Sequence, residues 1–199
     1  MEKFIQLTGV AAPLMEDNIN TDALMPTYWI VNTGSDWGNG LFRNWRQQRG
    51  DAFVLNQERY RGCQILVAGK NFGCGSSREE AVWALVGFGI RCVIAPSFGD
   101  IFYDSSFKNG LLPMILPAPE VAELARELAD APSPQLSVDL AERKLHTPQG
   151  RTVEFALDDS RRLPLMQGVD LVGQTLARGA QIAAFQSADK QRRPWIYAV

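Results

Sequence analysis

The stretch that most narrows what this chain can become runs from Lys70 to Glu80, Lys-Asn-Phe-Gly-Cys-Gly-Ser-Ser-Arg-Glu-Glu, because it joins two segments of different period. Before it, Ile65-Leu66-Val67-Ala68 is a short apolar run with β-branched residues, the pattern of a buried strand. After it, Ala81, Ala84, Leu85 and Phe88 recur at helical spacing, behind Glu79 and Glu80, whose carboxylates suit the positive end of a helix. The unit is strand, glycine loop, helix. Gly73 and Gly75 permit positive φ or close backbone approach, and Ser76 or Ser77 can cap the helix, so amide N–H groups would converge beside the Arg78 guanidinium. Such a loop suits an anion, which Arg78 can grip through two parallel bonds where lysine cannot.

Three better-known loops do not fit these letters. A phosphate-binding P-loop ends in Gly-Lys-Ser/Thr, and this one has Gly75-Ser76-Ser77. A dinucleotide-binding turn needs a third glycine where Arg78 stands. A nucleophile elbow centred on Ser77 needs glycine in place of Glu79, and the sole histidine, His146, lies in a polar stretch before Thr147-Pro148-Gln149-Gly150. An anion site remains, beside the blander alternative of a serine-capped helix whose glycines only turn the chain.

Asn71-Phe72-Gly73-Cys74-Gly75-Ser76-Ser77-Arg78-Glu79, continued by Ala81, Trp83-Ala84-Leu85 and Ile94-Ala95-Pro96-Ser97-Phe98, resembles the small subunits of 3-isopropylmalate dehydratases in the aconitase superfamily. Agreement extends along nearly the whole chain. It includes Asn20-Thr21-Asp22-Ala23 with Pro26, Asp100-Ile101-Phe102, Asn109-Gly110-Leu111-Leu112-Pro113, and Gly168-Val169-Asp170 with Gly173 and Thr175-Leu176. The resemblance implies a swivelling α/β domain of layered β/β/α type, with a mixed sheet, flanking helices and a C-terminal helical tail. It implies a hydro-lyase subunit that interconverts 2-isopropylmalate and 3-isopropylmalate through isopropylmaleate in leucine biosynthesis, working only with a large subunit that carries a [4Fe–4S] cluster. Carried over by motif, Ser76 is the base, Ser77 and Gly75 bind substrate, Arg78 holds a carboxylate and Asp22 lies at the active site.

Two departures from the family pattern bear on substrate. Glu80 follows Arg-Glu where relatives have His, and Thr27 follows Pro26 where many have Lys or Arg; residues 23 to 42 contain neither cation. An isopropyl group needs an apolar wall and a citrate-like substituent needs a cation, so Leu24, Met25, Tyr28, Trp29, Ile30, Val31 and Trp37 favour an alkyl substituent. Two other readings stand beside the first: a related hydro-lyase acting on citraconate, citramalate or a methylated malate, and a non-catalytic anion-binding or assembly module.

With 199 residues, 46% of them apolar, the chain is expected to bury one core as a single domain over residues 1–199, with a polar tail from about residue 187. A net charge of −2 argues against nucleic acid as a partner, since no basic stripe neutralises phosphates. Met1 to Ile5 lacks the halves of a signal peptide and no apolar run approaches ~20 residues, so a cytoplasmic chain without a membrane partner is expected. Cys63, Cys74 and Cys92 are too irregularly spaced for a metal or cluster site, so no cofactor is expected on this chain.

In chain order, Phe4 to Val10 reads as a strand with Ala11 to Leu14 as its exit, and Glu16 to Asp22 as an ordered turn presenting Asp22. Residues 26 to 40 show no regular period and suggest a mobile loop, followed by a short helix from Leu41 to Arg49. Cys92 to Ala95 is a second buried strand, parallel to the first through a right-handed crossover. A helix within Ser97 to Lys108, a strand within Leu111 to Leu116 and a helix from Glu120 to Ala129 come next. A hairpin or meander over Leu136 to Ala156 leaves His146 at an exposed strand end. Asp158-Asp159-Ser160 then opens a C-terminal helical region that packs through Leu171, Ala177, Ile182 and Phe185.

Overall fold

The computed structural model describes residues 1–33, 36–75 and 78–197. Its first strand, β1 (Gln6–Leu14), is followed by four short helices: α1 (Thr21–Leu24), α2 (Thr27–Thr33), α3 (Trp37–Gly40) and α4 (Arg43–Arg49). Then come β2 (Ile65–Ala68), α5 (Glu79–Phe88), β3 (Cys92–Ala95), α6 (Asp100–Lys108), β4 (Leu112–Ile115) and α7 (Ala118–Asp130). A meander of β5 (Gln135–Asp139), β6 (Lys144–His146) and β7 (Thr152–Glu154) leads into α8 (Asp159–Gln167), α9 (Leu171–Leu176) and α10 (Gly179–Arg192). The seven strands form one mixed sheet in the order β4-β3-β2-β1-β5-β6-β7. From β4 to β1 the pairs are parallel; beyond β1 they are antiparallel. This is the α/β class expected.

β1 is the hinge between the two halves. Its residues Gln6 to Val10 pair antiparallel with β5, and Ala11 to Leu14 pair parallel with β2. Pro13 therefore lies inside the strand, not in its exit as the sequence suggested. It is tolerated because alternate residues of a strand direct their N–H groups to opposite sides. Ala11 donates to Pro134 O on the β5 side at 2.8 Å, so the N–H that Pro13 lacks would also point away from β2.

β2 and β3 are buried throughout because both faces of the parallel half are covered. One face, with Leu14, Leu66, Ala68, Val93 and Ala95, meets Leu24, Phe42, Phe53, Leu85 and Phe102. The other, with Ala11, Ile65, Val67 and Ile94, meets Val121, Leu124 and Leu128 of α7 together with Leu136, Val138 and Leu145 of the antiparallel wing. The wing thus curls over the sheet, and its inward residues alternate with solvent-facing ones, as in β5.

Two expectations are corrected elsewhere. Residues 26–40 carry the helices α2 and α3 instead of irregular loop, with Trp29 Nε1 donating to Asp36 O at 2.9 Å. At the C-terminus, Leu171, Ile182 and Phe185 are exposed, so the packing face read for that region is not buried within the chain. α10 has only these two large apolar residues, Ile182 and Phe185, too few for a stripe. The polar stretch from about residue 187 continues α10 to Arg192, and its buried Asp189 accepts from Arg193 Nε at 2.7 Å and Tyr197 Oη at 3.0 Å.

Candidate active site

The carboxyl ends of β1, β2 and β3 deliver three loops to one edge of the parallel half, the edge where open α/β sheets place ligands. Hydrogen bonds join them. Asn18 N donates to Lys70 O at 2.9 Å, Lys70 N to Asp17 Oδ1 at 3.0 Å, and Asn71 Nδ2 to Asn18 Oδ1 at 2.8 Å. Gly73 N donates to Ile19 O at 2.7 Å and Thr21 N to Cys74 O at 3.0 Å. From the third loop, Ser97 accepts from Asn71 N and Phe72 N, at 2.8 and 3.0 Å. With its backbone groups paired this way, the glycine loop is held from both sides.

Glycine is required at two points. At Gly73 φ is +71°, and a Cβ would stand 2.2 Å from the Phe102 ring, which packs against Phe72 at 5.4 Å between centroids. At Gly75 φ is +94°, while the nearest atom to an added Cβ is Asn20 Cβ at 3.6 Å. Among the described residues the second position is thus constrained by backbone conformation and not by space, and it lies against the start of α1. There Asn20 caps the helix, its Oδ1 accepting from Ala23 N at 2.8 Å, and Thr21 Oγ1 is buried without a hydrogen-bond partner among the described residues.

Arg78 holds the N-cap position of α5 in extended backbone, with φ −92° and ψ 141°. The capping serine expected from the sequence is therefore not at that position. Ser76 and Ser77 lie outside the described residues, between Gly75 and Arg78. The Arg78 guanidinium turns toward the segment joining α1 to α2. Its Nη2 is ion-paired with Asp22 Oδ1 and donates to Met25 O at 3.3 Å, and its Nη1 donates to Thr27 Oγ1 at 2.6 Å. The Arg78 side chain is 25% exposed and that of Asp22 66%, so the pair is open to solvent on the aspartate side. A carboxylate arriving there meets a planar cation whose orientation is already set.

Of the residues read as functional, Asp22, Gly75 and Arg78 are brought together, although Asp22 and Arg78 are separated by 56 positions in the chain. Glu79, at the first turn of α5, accepts from Asn109 Nδ2 at 2.8 Å. His146 sits on β6 in the antiparallel wing, exposed, with Nδ1 3.0 Å from Thr152 Oγ1, and takes no part in the site. Thr27, Asn18 and Asp17 are additions. Asn20, placed in an ordered turn by the sequence, is a helix cap that Asn-Thr-Asp-Ala could have signalled, whereas nothing in the sequence marks Thr27 as a partner of Arg78.

The cysteines do not converge on a cluster. Cys63 and Cys92 belong to the cores on opposite faces of the sheet, and Cys74 lies in the glycine loop with Sγ 3.4 Å from Asn18 O. Burial pushes the Cys63 thiol up to about 12 and raises that of Cys92 as well, so both stay protonated and unreactive in the core. Among the described residues no group of His, Cys, Asp and Glu could hold a metal ion, and no helix is long and apolar enough to cross a membrane.

Residues 1–119 match the family described as the aconitase C-terminal domain. A "3-isopropylmalate dehydratase small subunit" from Dinoroseobacter shibae is 46% identical over 201 residues, covering 98% of this chain and all of its own. Proteins of the same name from Cupriavidus necator and Azorhizobium caulinodans are 46% and 44% identical, each over at least 98% of both chains. A solved structure of 3-isopropylmalate dehydratase from Methanocaldococcus jannaschii superposes with a TM-score of 0.67 at 24% identity, covering 90% of this chain and 99% of that one. At that identity it speaks for the fold.

Proposed function

The chain belongs to the family of 3-isopropylmalate dehydratase small subunits, and from that premise we propose that it is the small subunit of a cytoplasmic hydro-lyase of leucine biosynthesis. With a large subunit as partner, it interconverts 2-isopropylmalate and 3-isopropylmalate through isopropylmaleate. The observation that carries the assignment of the site is the Arg78 guanidinium, held at the strand ends by Asp22 and directly following Ser76-Ser77.

Reversible dehydration needs a base for a weakly acidic C–H and a Lewis acid for a hydroxide that leaves poorly. The cysteines here do not fit a cluster, so a [4Fe–4S] group would belong to the large subunit. In this reading the small subunit supplies the proton chemistry and the carboxylate grip. Ser76 takes the proton, with its anionic form stabilised by the cation of Arg78 in a closed site. Arg78 binds a substrate carboxylate, Ser77 and Gly75 line the approach, and Asp22 aims the guanidinium. The small dicarboxylate then enters on the open side of the Asp22–Arg78 pair.

The substituent faces α2. Leu24 and Met25 are fully buried and cannot wall a substrate directly, which leaves exposed Tyr28 and Val31 and half-buried Trp29, Ile30 and Trp37 as the apolar candidates. Arg43, one residue beyond the cation-free window, places its guanidinium 4.7 Å from the Trp29 ring centroid, so citrate belongs among the compounds compared. The test is to reconstitute the chain with a cluster-bearing large subunit and assay isopropylmalate, citramalate and citrate. We expect turnover only in the reconstituted complex, with isopropylmalate preferred. Preference for citramalate would move the assignment to the methyl-substituted malates, and activity of the isolated chain would refute the division of labour. In the active complex Ser76→Ala should lower kcat by roughly 10²–10⁴-fold, while Arg78→Lys should act mainly on KM.

A further inference from the structure

Among the described residues, the guanidinium of Arg78 is held by three acceptors that all come from one short segment, residues 22 to 27. That segment is firmly seated. Leu24 and Met25 are fully buried, Phe42 N donates to Leu24 O at 2.9 Å, Met25 N to Thr21 O at 2.9 Å, and Trp29 N to Pro26 O at 3.0 Å. Two of the acceptors, Asp22 Oδ1 and Met25 O, share Nη2, and Thr27 Oγ1 takes Nη1. The bonds at Nη2 already lie in the guanidinium plane, and a bond at the second nitrogen adds a longer lever arm that resists tilting of that plane. The two side-chain anchors also differ in charge. An incoming carboxylate competes with Asp22 for the cation, but a neutral hydroxyl leaves the positive charge undiminished.

We propose that Thr27 is a positioning residue for Arg78: its hydroxyl fixes the plane in which the guanidinium meets the substrate carboxylate, and it keeps that hold when substrate shares the cation with Asp22. The inference rests on the active-site reading above and adds a residue which that reading does not need. Thr27 opens α2, so the same helix that borders the substituent also sets the carboxylate grip.

The experiment compares Thr27→Val, Thr27→Ser and Arg78→Ala in the reconstituted complex, with exchange of the Arg78 side-chain N–H groups followed by NMR in the full chain labelled with ¹⁵N-arginine. Thr27→Val, which keeps the shape and removes the acceptor, should raise KM for isopropylmalate about tenfold with kcat changed less than about threefold, and should speed guanidinium exchange. Thr27→Ser should restore most of the lost KM and the slow exchange. Unchanged KM and exchange in Thr27→Val, or equal losses in both Thr27 variants, would overturn the inference. Arg78→Ala that turns over normally would instead overturn the active-site reading itself, and the two failures are told apart because the exchange measurement does not depend on activity.

Discussion

At the scale of single residues, the two glycines of the loop separate conformation from space. Gly73→Ala combines positive φ with a collision against Phe102, and should cost about 3 kcal/mol or more; Gly75→Ala meets no such collision among the described residues and should cost the conformational penalty, about 1–2 kcal/mol. Chemical denaturation of the two variants checks the ranking. The cysteines give a pH signature. A thiol whose folded value is raised binds its proton more tightly in the native state, so the stability involved is complete below the unfolded value near 9 and is lost as pH rises from there toward about 12 for Cys63. At pH 8 a thiol reagent should label only the half-buried Cys74 in the native chain and all three cysteines after unfolding, as counted by intact mass. The pairing of Asp22 with Arg78 was foreseeable because both stand in recognisable motifs. The contact of Thr27 was not, because it depends on where the first residue of α2 lands after the chain has crossed the sheet edge.

Elements were legible where a local signal was strong enough to override context. Ile65–Ala68 and Cys92–Ala95 read correctly as buried strands because compact apolar runs, each ended by Gly or Pro, leave little else for the backbone to do. The helices between residues 26 and 40 were missed for the opposite reason: four and seven residues complete at most two turns, so no period can show itself, and their Trp and Gly content reads as loop. They hold because tertiary contacts order them, as with Trp37 against Trp83 at 5.2 Å between ring centroids. Short helices lean heavily on their caps. Asn20→Ala, which removes the acceptor for Ala23 N at the start of α1, should cost about 1 kcal/mol, measurable as a lowered urea midpoint with unchanged slope. Pro13 misled for a related reason, since the side of the strand on which an N–H is needed is a property of the assembled sheet.

Across the whole molecule stability is unevenly spread. α8 is anchored by the fully buried Leu165, whose carbonyl accepts from Phe4 N at 3.0 Å, so Leu165→Ala should cost roughly 2–5 kcal/mol. Deleting residues 179–199, where Asp189 alone among the described residues is buried, should lower Tm by no more than about 4 °C; calorimetry of the two variants would show the contrast. The C-terminal region was read correctly as helical but wrongly given a packing face, because sequence registers apolar residues without saying whether anything covers them. β1, which joins the parallel half to the antiparallel wing, has a further consequence for how the chain is made. Its Ala11 to Leu14 can find β2 once residue 68 has left the ribosome, but Gln6 pairs with Asp139, so the other half of the strand waits until most of the polypeptide has been translated. During that interval a strand edge stands open on the nascent protein, and the closing step joins residues more than a hundred positions apart. Synthesis itself therefore imposes an order on assembly, with the parallel half and its ligand edge able to form first and the wing sealing them last.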